Sequence, residues 1–198
     1  DIEENFLPTL QAKYPDVKTT RFSDEEEIFF NEIQALYTIA LFLMYALIAI
    51  AFRSYWLPLL VMTAIPFGFM GAVFGHLIFD VAMALFSFFG IGAAAGVVVN
   101  DNLVLVDYVQ RLREKGASAM DAMIEGGVTR FRPILLTTVP TFAGLSPMIW
   151  ETSRQAQFLI PMAISLAFGV LFATLVSLLL VPCTYVLLDD IQVAFRRA

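Results

Sequence analysis

The chain has 198 residues, of which 59% are hydrophobic and only 15% are charged, and its mean hydropathy is +0.77. Soluble domains usually contain about 45–50% apolar residues, and here the apolar residues form long unbroken blocks. These features exclude a soluble globular domain. The net charge of −6 and the lack of a basic stripe exclude a nucleic-acid-binding protein.

Residues 1–32 form a polar segment that carries about half of the acidic side chains of the chain. The pattern predicts a helix over residues 2–13 and a strand over residues 17–22. A second helix is predicted to start near Ser23 and to continue into the membrane. We therefore expect a short α+β segment that lies in water.

Five apolar blocks follow, and each approaches the ~20 residues that an α-helix needs to cross a hydrocarbon core of ~30 Å. Because backbone polar groups in lipid must be satisfied within the segment, these blocks are predicted to be helices. The predicted spans lie at about 33–52, 57–79, 84–108, 133–150 and 157–187. The predicted fold class is an all-α membrane bundle of five transmembrane helices, preceded by the α+β segment.

Lysine and arginine side chains lie almost entirely on one side of the predicted bundle, in the first and third connections and at the C-terminus. Basic loops face the cytoplasm. We therefore expect a multi-pass membrane protein, with an N-terminal segment on the outside or in the periplasm and a cytoplasmic C-terminus. The third connection is predicted to contain a separate interfacial helix at about 118–126, with Ser118 as its cap and Gly126 and Gly127 at its end.

An acidic side chain, Asp101, lies within the otherwise apolar string GVVVNDNLVLVD at residues 96–107. A carboxylate at the centre of a membrane helix costs roughly 2.5–3.5 kcal/mol on insertion scales. Asp101 lies about 15 Å from Arg111 along a helix, which is close to mid-membrane. The favoured hypothesis is that Asp101 takes up and releases a proton during transport. The alternative is a carboxyl group that is permanently paired as part of the helix packing.

The neighbouring polar residues have simpler interpretations. Asn100 and Asn102 are predicted to hydrogen-bond between helices. Asp107 is predicted to pair at the interface with the arginine one turn later. Thr137 and Thr138 are neutral on the residues alone, because threonine often returns its hydroxyl group to its own backbone.

The sequence shows no pattern of an enzyme. It has no Ser-His-Asp arrangement, no phosphate-binding GxxxxGK[ST] loop and no HExxH motif. His76, the single histidine, is predicted to pack against its neighbours. Cys183, the single cysteine, excludes an internal disulfide bond and argues against a thiolate metal cluster. We therefore expect no cofactor and no metal site, and energy for transport would have to come from an ion gradient.

Four strings in the chain resemble, in the same order, the carboxy-terminal membrane half of resistance–nodulation–division (RND) transporters. They are FRSYWLPLLVMTAIPFGFMGAVFGH, GVVVNDNLVLVDYVQRLREKG, RFRPILLTT and LFATLVSLLLVPCTYVLLDD. The resemblance covers essentially the whole chain and is closest to the hydrophobe/amphiphile efflux branch, the multidrug or acriflavin-resistance type. It implies that the five spans are helices 8–12 of a twelve-helix protomer. It also implies that residues 1–32 end a periplasmic porter domain.

The resemblance further implies a secondary active transporter of the bacterial inner membrane, with the N-terminal segment in the periplasm. It would be a proton antiporter that exports hydrophobic or amphiphilic compounds. Its partners would be the remainder of the protomer, two further copies in a homotrimer, a periplasmic adaptor, an outer-membrane channel and the lipid bilayer. The proton relay of the family maps onto Asn100, the adjoining Asp101, and Thr137, with Asn102, Asp107 and Thr138 as supporting polar residues. Prototype multidrug pumps have lysine at the position of Asn100, so the relay here must differ in detail.

Two other interpretations remain open at the level of sequence. A sterol-sensing-like or lipid-binding bundle could share this helical layout, and Asp101 would then be structural. An inactive product of a truncated gene would also share it. Substitution of Asp101 in a full-length transporter distinguishes the first alternative from a proton-coupled transporter. Inspection of the upstream DNA for the missing first half tests the second alternative.

Overall fold

The computed structural model describes the backbone of residues 22–197 and the side chains of residues 27–189 and of Ile191. The predictions for residues 1–21, which include most of the α+β segment, lie outside the described residues. All regular structure in the described part is helical. It comprises α1 (Phe22–Phe52), α2 (Trp56–Met62), α3 (Ile65–Phe79), α4 (Leu85–Glu114), α5 (Ala119–Ile149), a short 3-10 helix (Ala156–Phe158) and α6 (Ile160–Arg197). The chain divides into two compact units, residues 1–44 and residues 45–198.

Four helical stretches in the described part are long and apolar enough to cross a membrane. They are Glu27–Phe52, Trp56–Phe79, Leu85–Glu114 and Ala156–Asp189. These stretches contain four of the five predicted spans and agree with an all-α membrane protein. The remaining predicted span, at 133–150, lies in α5, which is helical but less apolar because it contains three prolines and several hydroxyl side chains.

The central helix of the second unit is α6, which packs against α3, α4 and α5. Glycine allows α3 to approach it closely. A Cβ atom added at Gly71 would lie only 2.5 Å from the carbonyl oxygen of Phe168, and one at Gly75 would lie 2.6 Å from Cγ of the same residue. Small residues at such positions let membrane helices approach backbone to backbone.

The second predicted span is broken into α2 and α3. Pro66 stands at the start of α3 and has no N–H group to continue the helical hydrogen-bond ladder. Side chains bind carbonyl groups near the break. The Thr63 hydroxyl donates to the carbonyl oxygen of Leu60 at 2.6 Å, and the Asn102 amide donates to that of Val61 at 3.3 Å.

The third connection differs from its prediction. The expected interfacial helix at about 118–126 and the expected span at 133–150 are joined in one 31-residue helix, α5, which continues through Gly126 and Gly127. A Cβ atom at Gly126 would lie 2.7 Å from Cγ2 of Val109, so this glycine makes room for α4 and does not end a helix. The predicted cap is confirmed, since Oγ of Ser118 accepts a hydrogen bond from the backbone N–H of Asp121 at 3.1 Å.

Candidate functional site

Asp101 lies near the middle of the 30-residue helix α4, whose length is about 45 Å. Apart from Ser87 and Asn100, the residues of α4 before it are apolar or glycine, and the first charged residue after it is Asp107. This position is far from both ends of the helix. A charge held there is remote from bulk water if α4 crosses a membrane along its axis.

Asp101 and the two asparagines that flank it have different environments, because each residue turns about 100° round the helix from the last. The Asn100 side chain is exposed on the surface of the described bundle. Asp101 is half-buried, and Asn102 is only 1% exposed. The polar triplet therefore presents one group outward, one toward α5 and one into the core.

The Asp101 carboxyl group faces the hydroxyl group of Thr137 on α5. Its Oδ2 atom is buried and has no hydrogen-bond partner among the described residues. The Thr137 hydroxyl donates to the carbonyl oxygen of Ile134 at 2.8 Å. With that proton engaged, Oγ1 of Thr137 can accept a hydrogen bond from a protonated carboxyl group. It can donate to an ionised carboxylate only after the hydroxyl turns.

Two buried hydrogen bonds connect this region to neighbouring helices. The Asn102 amide binds the Val61 carbonyl oxygen at the end of α2, which confirms its predicted interhelical role. Thr138 is 2% exposed, and its hydroxyl lies 3.2 Å from that of Thr174 on α6. Thr137 therefore faces the Asp101 carboxyl group, whereas Thr138 forms a hydrogen bond between α5 and α6.

Asp107 is not brought to this site. It forms an ion pair with Arg111, with Oδ2 2.9 Å from Nη2; the Arg111 side chain is 70% exposed and that of Asp107 is 41% exposed. The predicted pairing one turn later on the helix is thus confirmed. An exposed pair of this kind contributes little to stability, about 0.3–0.5 kcal/mol.

Arg130 is a polar residue near this region that the sequence interpretation counted only as a basic loop residue. Its Nε atom is buried and has no hydrogen-bond partner in the described part of the chain. Its guanidinium carbon lies 5.3 Å from the centre of the Tyr108 ring, within range of a cation–π interaction. Arg130 and Thr137 are seven residues apart and share one face of α5. The predicted loop at Arg130 separated two helices, so the sequence could not predict that Arg130 and Thr137 share a helix face.

His76 is confirmed as a packed residue. It is 4% exposed. Its Nδ1 atom lies 2.9 Å from the carbonyl oxygen of Val81, and its Nε2 atom lies 3.0 Å from Oγ of Ser165. Both ring nitrogens therefore have partners, and the side chain connects the end of α3 to α6.

Comparisons with known proteins identify the family. The family model described as AcrB/AcrD/AcrF matches residues 11–189. The chain is 27% identical over 187 residues, or 92% of its length, to the multidrug resistance protein MdtC of Proteus mirabilis (strain HI4320). It is 33% identical over 155 residues, or 78% of its length, to the cobalt-zinc-cadmium resistance protein CzcA of Cupriavidus metallidurans (strain ATCC 43123 / DSM 2839 / NBRC 102507 / CH34).

The chain spans only 18% and 15% of the lengths of these two relatives. The family match nevertheless covers nearly all of the chain, and the helical architecture with four apolar spans agrees with it. The chain belongs to the AcrB/AcrD/AcrF family of RND efflux transporters.

Proposed function

We propose that this chain is the part of a proton-driven efflux transporter in which Asp101 binds and releases the coupling proton. The observation that supports the proposal is the environment of the Asp101 carboxyl group. One of its oxygen atoms is buried without a partner in the described region, in the middle of an apolar helix. An ionised carboxylate held this way is costly, whereas a protonated one is neutral and can donate to Thr137.

Thr137 would distinguish the two states of the carboxyl group. When Asp101 is protonated, its O–H can donate to Oγ1 of Thr137, whose own proton remains with Ile134. When Asp101 loses its proton, the Thr137 hydroxyl must turn to donate to the carboxylate. The hydrogen bond from Thr137 to the Ile134 carbonyl oxygen is then lost, so the hydrogen bonds within α5 differ between the two states.

Asn102 and Thr138 would transmit this difference to other helices. Asn102 is adjacent to Asp101 and holds the carbonyl group of Val61, where the second span is broken. Thr138 is adjacent to Thr137 and contacts Thr174 on the central helix α6. Small rotations of α4 and α5 would therefore act on both the broken span and the centre of the bundle. Asn100, which is exposed on this bundle, would face the remainder of the protomer.

The MdtC relatives are named multidrug resistance proteins, and we propose that the compounds exported here are hydrophobic or amphiphilic. A second candidate is a divalent metal cation, because a relative with 33% identity is named a cobalt-zinc-cadmium resistance protein. Export of a lipophilic dye, compared with export of zinc ions by the same full-length transporter, would separate the two classes. In either case we propose a homotrimer in the inner membrane, with an adaptor and an outer-membrane channel.

The proposal is tested by Asp101→Asn in a full-length transporter that carries this sequence, reconstituted in proteoliposomes. The amide cannot take part in the proton exchange, so we expect proton flux coupled to export to fall to the background. Asp107→Asn is the matched control, because its carboxylate is partly exposed and paired with Arg111. Proton flux that survives in Asp101→Asn at the level of the control would rule out this function.

A further inference from the structure

A small polar cavity lies at the basic end of the bundle, and its lining residue Gln110 is about 14 Å from Asp101 along α4. Its volume is about 280 Å³, equal to about nine water molecules at ~30 Å³ each. The lining includes the connection between α1 and α2, the last turns of α4 and the C-terminal part of α6. The side chains that matter below are those of Arg53, Trp56, Gln110, Tyr185 and Asp189.

Among the described residues, the cavity has an unbalanced positive charge. Asp189 is already engaged by Arg113, with Oδ1 2.6 Å from Nη2, and the Tyr185 hydroxyl group interacts with the same guanidinium group. Arg53 has no ion-pair or hydrogen-bond partner among the described side chains. Arg53 therefore lines the cavity without an anionic partner in the described part of the chain.

Arg53 is also held in an unusual backbone conformation, with φ of +50°. Residues other than glycine rarely adopt a positive φ, and asparagine or aspartate is the usual exception. The chain nevertheless places a long cation there, beside the cavity. Gln110 adds an amide N–H₂ group that likewise has no partner in the described part of the chain.

The surroundings indicate which anion would fit. Tyr55 and Trp56 are 79% and 57% exposed beside the cavity, and such aromatic side chains concentrate where a membrane meets water. Basic pockets between membrane helices at this level bind lipid head groups. We propose that this cavity binds the phosphodiester group of a membrane phospholipid, through Arg53 and Gln110, with the acyl chains lying against Trp56.

The experiment uses the chain in maltoside micelles, which contain no phosphate. Trp150→Phe leaves Trp56 as the single tryptophan, because the chain has two. Phosphatidylglycerol with brominated acyl chains is titrated in, and quenching of Trp56 fluorescence is measured. We expect saturable quenching, and we expect a diacylglycerol with the same brominated chains to give only weak quenching without saturation.

Arg53→Gln is expected to raise the half-saturating lipid concentration about tenfold or more, since hydrogen bonds to charged groups are the strong ones. Arg154→Gln is the matched control, because it removes an exposed arginine from a different connection of the chain. Equal half-saturation in the two variants would overturn the proposal, as would equal quenching by diacylglycerol. Loss of saturation in millimolar inorganic phosphate would also overturn it, by identifying a site for a free anion.

Two further variants keep the test decisive if Arg53→Gln loses helicity in circular dichroism. Arg53→Lys keeps the charge but cannot form bidentate hydrogen bonds to the phosphate, so it is expected to bind the lipid with intermediate affinity. Gln110→Ala keeps the Arg53 backbone unchanged and is expected to weaken binding several-fold. Wild-type affinity in both variants would contradict the assignment.

Discussion

Asp101 combines two properties that are rarely found together in a membrane helix. It is ionisable, and one of its oxygen atoms is buried without a partner in the described region. Structural carboxyl groups in proteins are normally satisfied, as the partly exposed Asp107 is by Arg111. The contrast between these two aspartates, six residues apart on one helix, is the basis for assigning them different roles.

Thr137 provides a direct test at the residue scale. Thr137→Val keeps the shape of the side chain but removes the hydroxyl group that faces Asp101. Loss of a hydrogen bond to a charged group costs about 1.5–3 kcal/mol, so we expect coupled proton flux to fall roughly tenfold or more. Thr137→Ser should retain most of the flux.

Thr141→Val is the control for this substitution. Its hydroxyl donates to the carbonyl oxygen of Thr137 within the same helix at 2.7 Å and is exposed. Valine there should leave proton flux within about twofold of wild type. Equal losses in Thr137→Val and Thr141→Val would show that Thr137 acts only through the stability of α5.

The break between α2 and α3 is the main irregular element of the bundle. Asn102→Ala removes the amide that binds the Val61 carbonyl oxygen and leaves that end of the break less well satisfied. Because a buried acceptor would lose a partner, we expect the free energy of unfolding to fall by about 1–3 kcal/mol. Thermal unfolding in detergent measures this change.

Asn100→Ala is the comparison for Asn102→Ala, since Asn100 is exposed on the same helix. Surface substitutions usually change stability by less than about 0.5 kcal/mol. A loss in Asn102→Ala no larger than in Asn100→Ala would mean that the buried hydrogen bond does not hold the break.

Glycine positions distinguish packing from simple helix flexibility. Gly71→Ala would place a Cβ atom against the backbone of α6 at Phe168, so the helices must separate. Gly144→Ala meets nothing within 4 Å, so it reports only the gain in helix propensity. We expect Gly71→Ala to be less stable than Gly144→Ala by about 1–3 kcal/mol in thermal unfolding. Equal stabilities would contradict the described packing of α3 on α6.

The site was only partly accessible from the sequence. Asp101 could be found because a charge in an apolar run is a strong local signal. Thr137 was assigned only through the family resemblance, since a hydroxyl group in a helix is usually satisfied by its own backbone. The bond from Asn102 to Val61 joins residues 41 positions apart, and no local pattern specifies that pairing.

The helix boundaries show the same limit at the scale of elements. Gly126, Gly127 and Pro133 are local signals for the end of one helix and the start of another. In the structure, packing of Gly126 against Val109 overrides these signals, and α5 continues as one helix. The prediction of one span over 57–79 did not include the break before Pro66, although proline near the start of a helix is a common boundary.

At the scale of the whole molecule, α5 differs from the four helical stretches of the described part that are long and apolar enough to span a membrane, because it is less apolar. We predict that α5 also crosses, which places Lys115 and Glu151 on opposite sides of the membrane. Single cysteines at these positions in a Cys183→Ser background can be labelled with an impermeant maleimide in intact cells and in inverted vesicles. Position 151 should react in intact cells, and position 115 should react only in inverted vesicles. Labelling of both from one side would contradict a fifth span.

The central claim is that Asp101 changes its protonation state during transport. Difference infrared spectroscopy on a full-length transporter with isotope-labelled aspartate measures this directly, through the carbonyl stretch of a protonated carboxyl group. We predict a band that appears and disappears with turnover, is lost in Asp101→Asn and is kept in Asp107→Asn. A spectrum in which the Asp101 band stays constant throughout turnover would contradict the account.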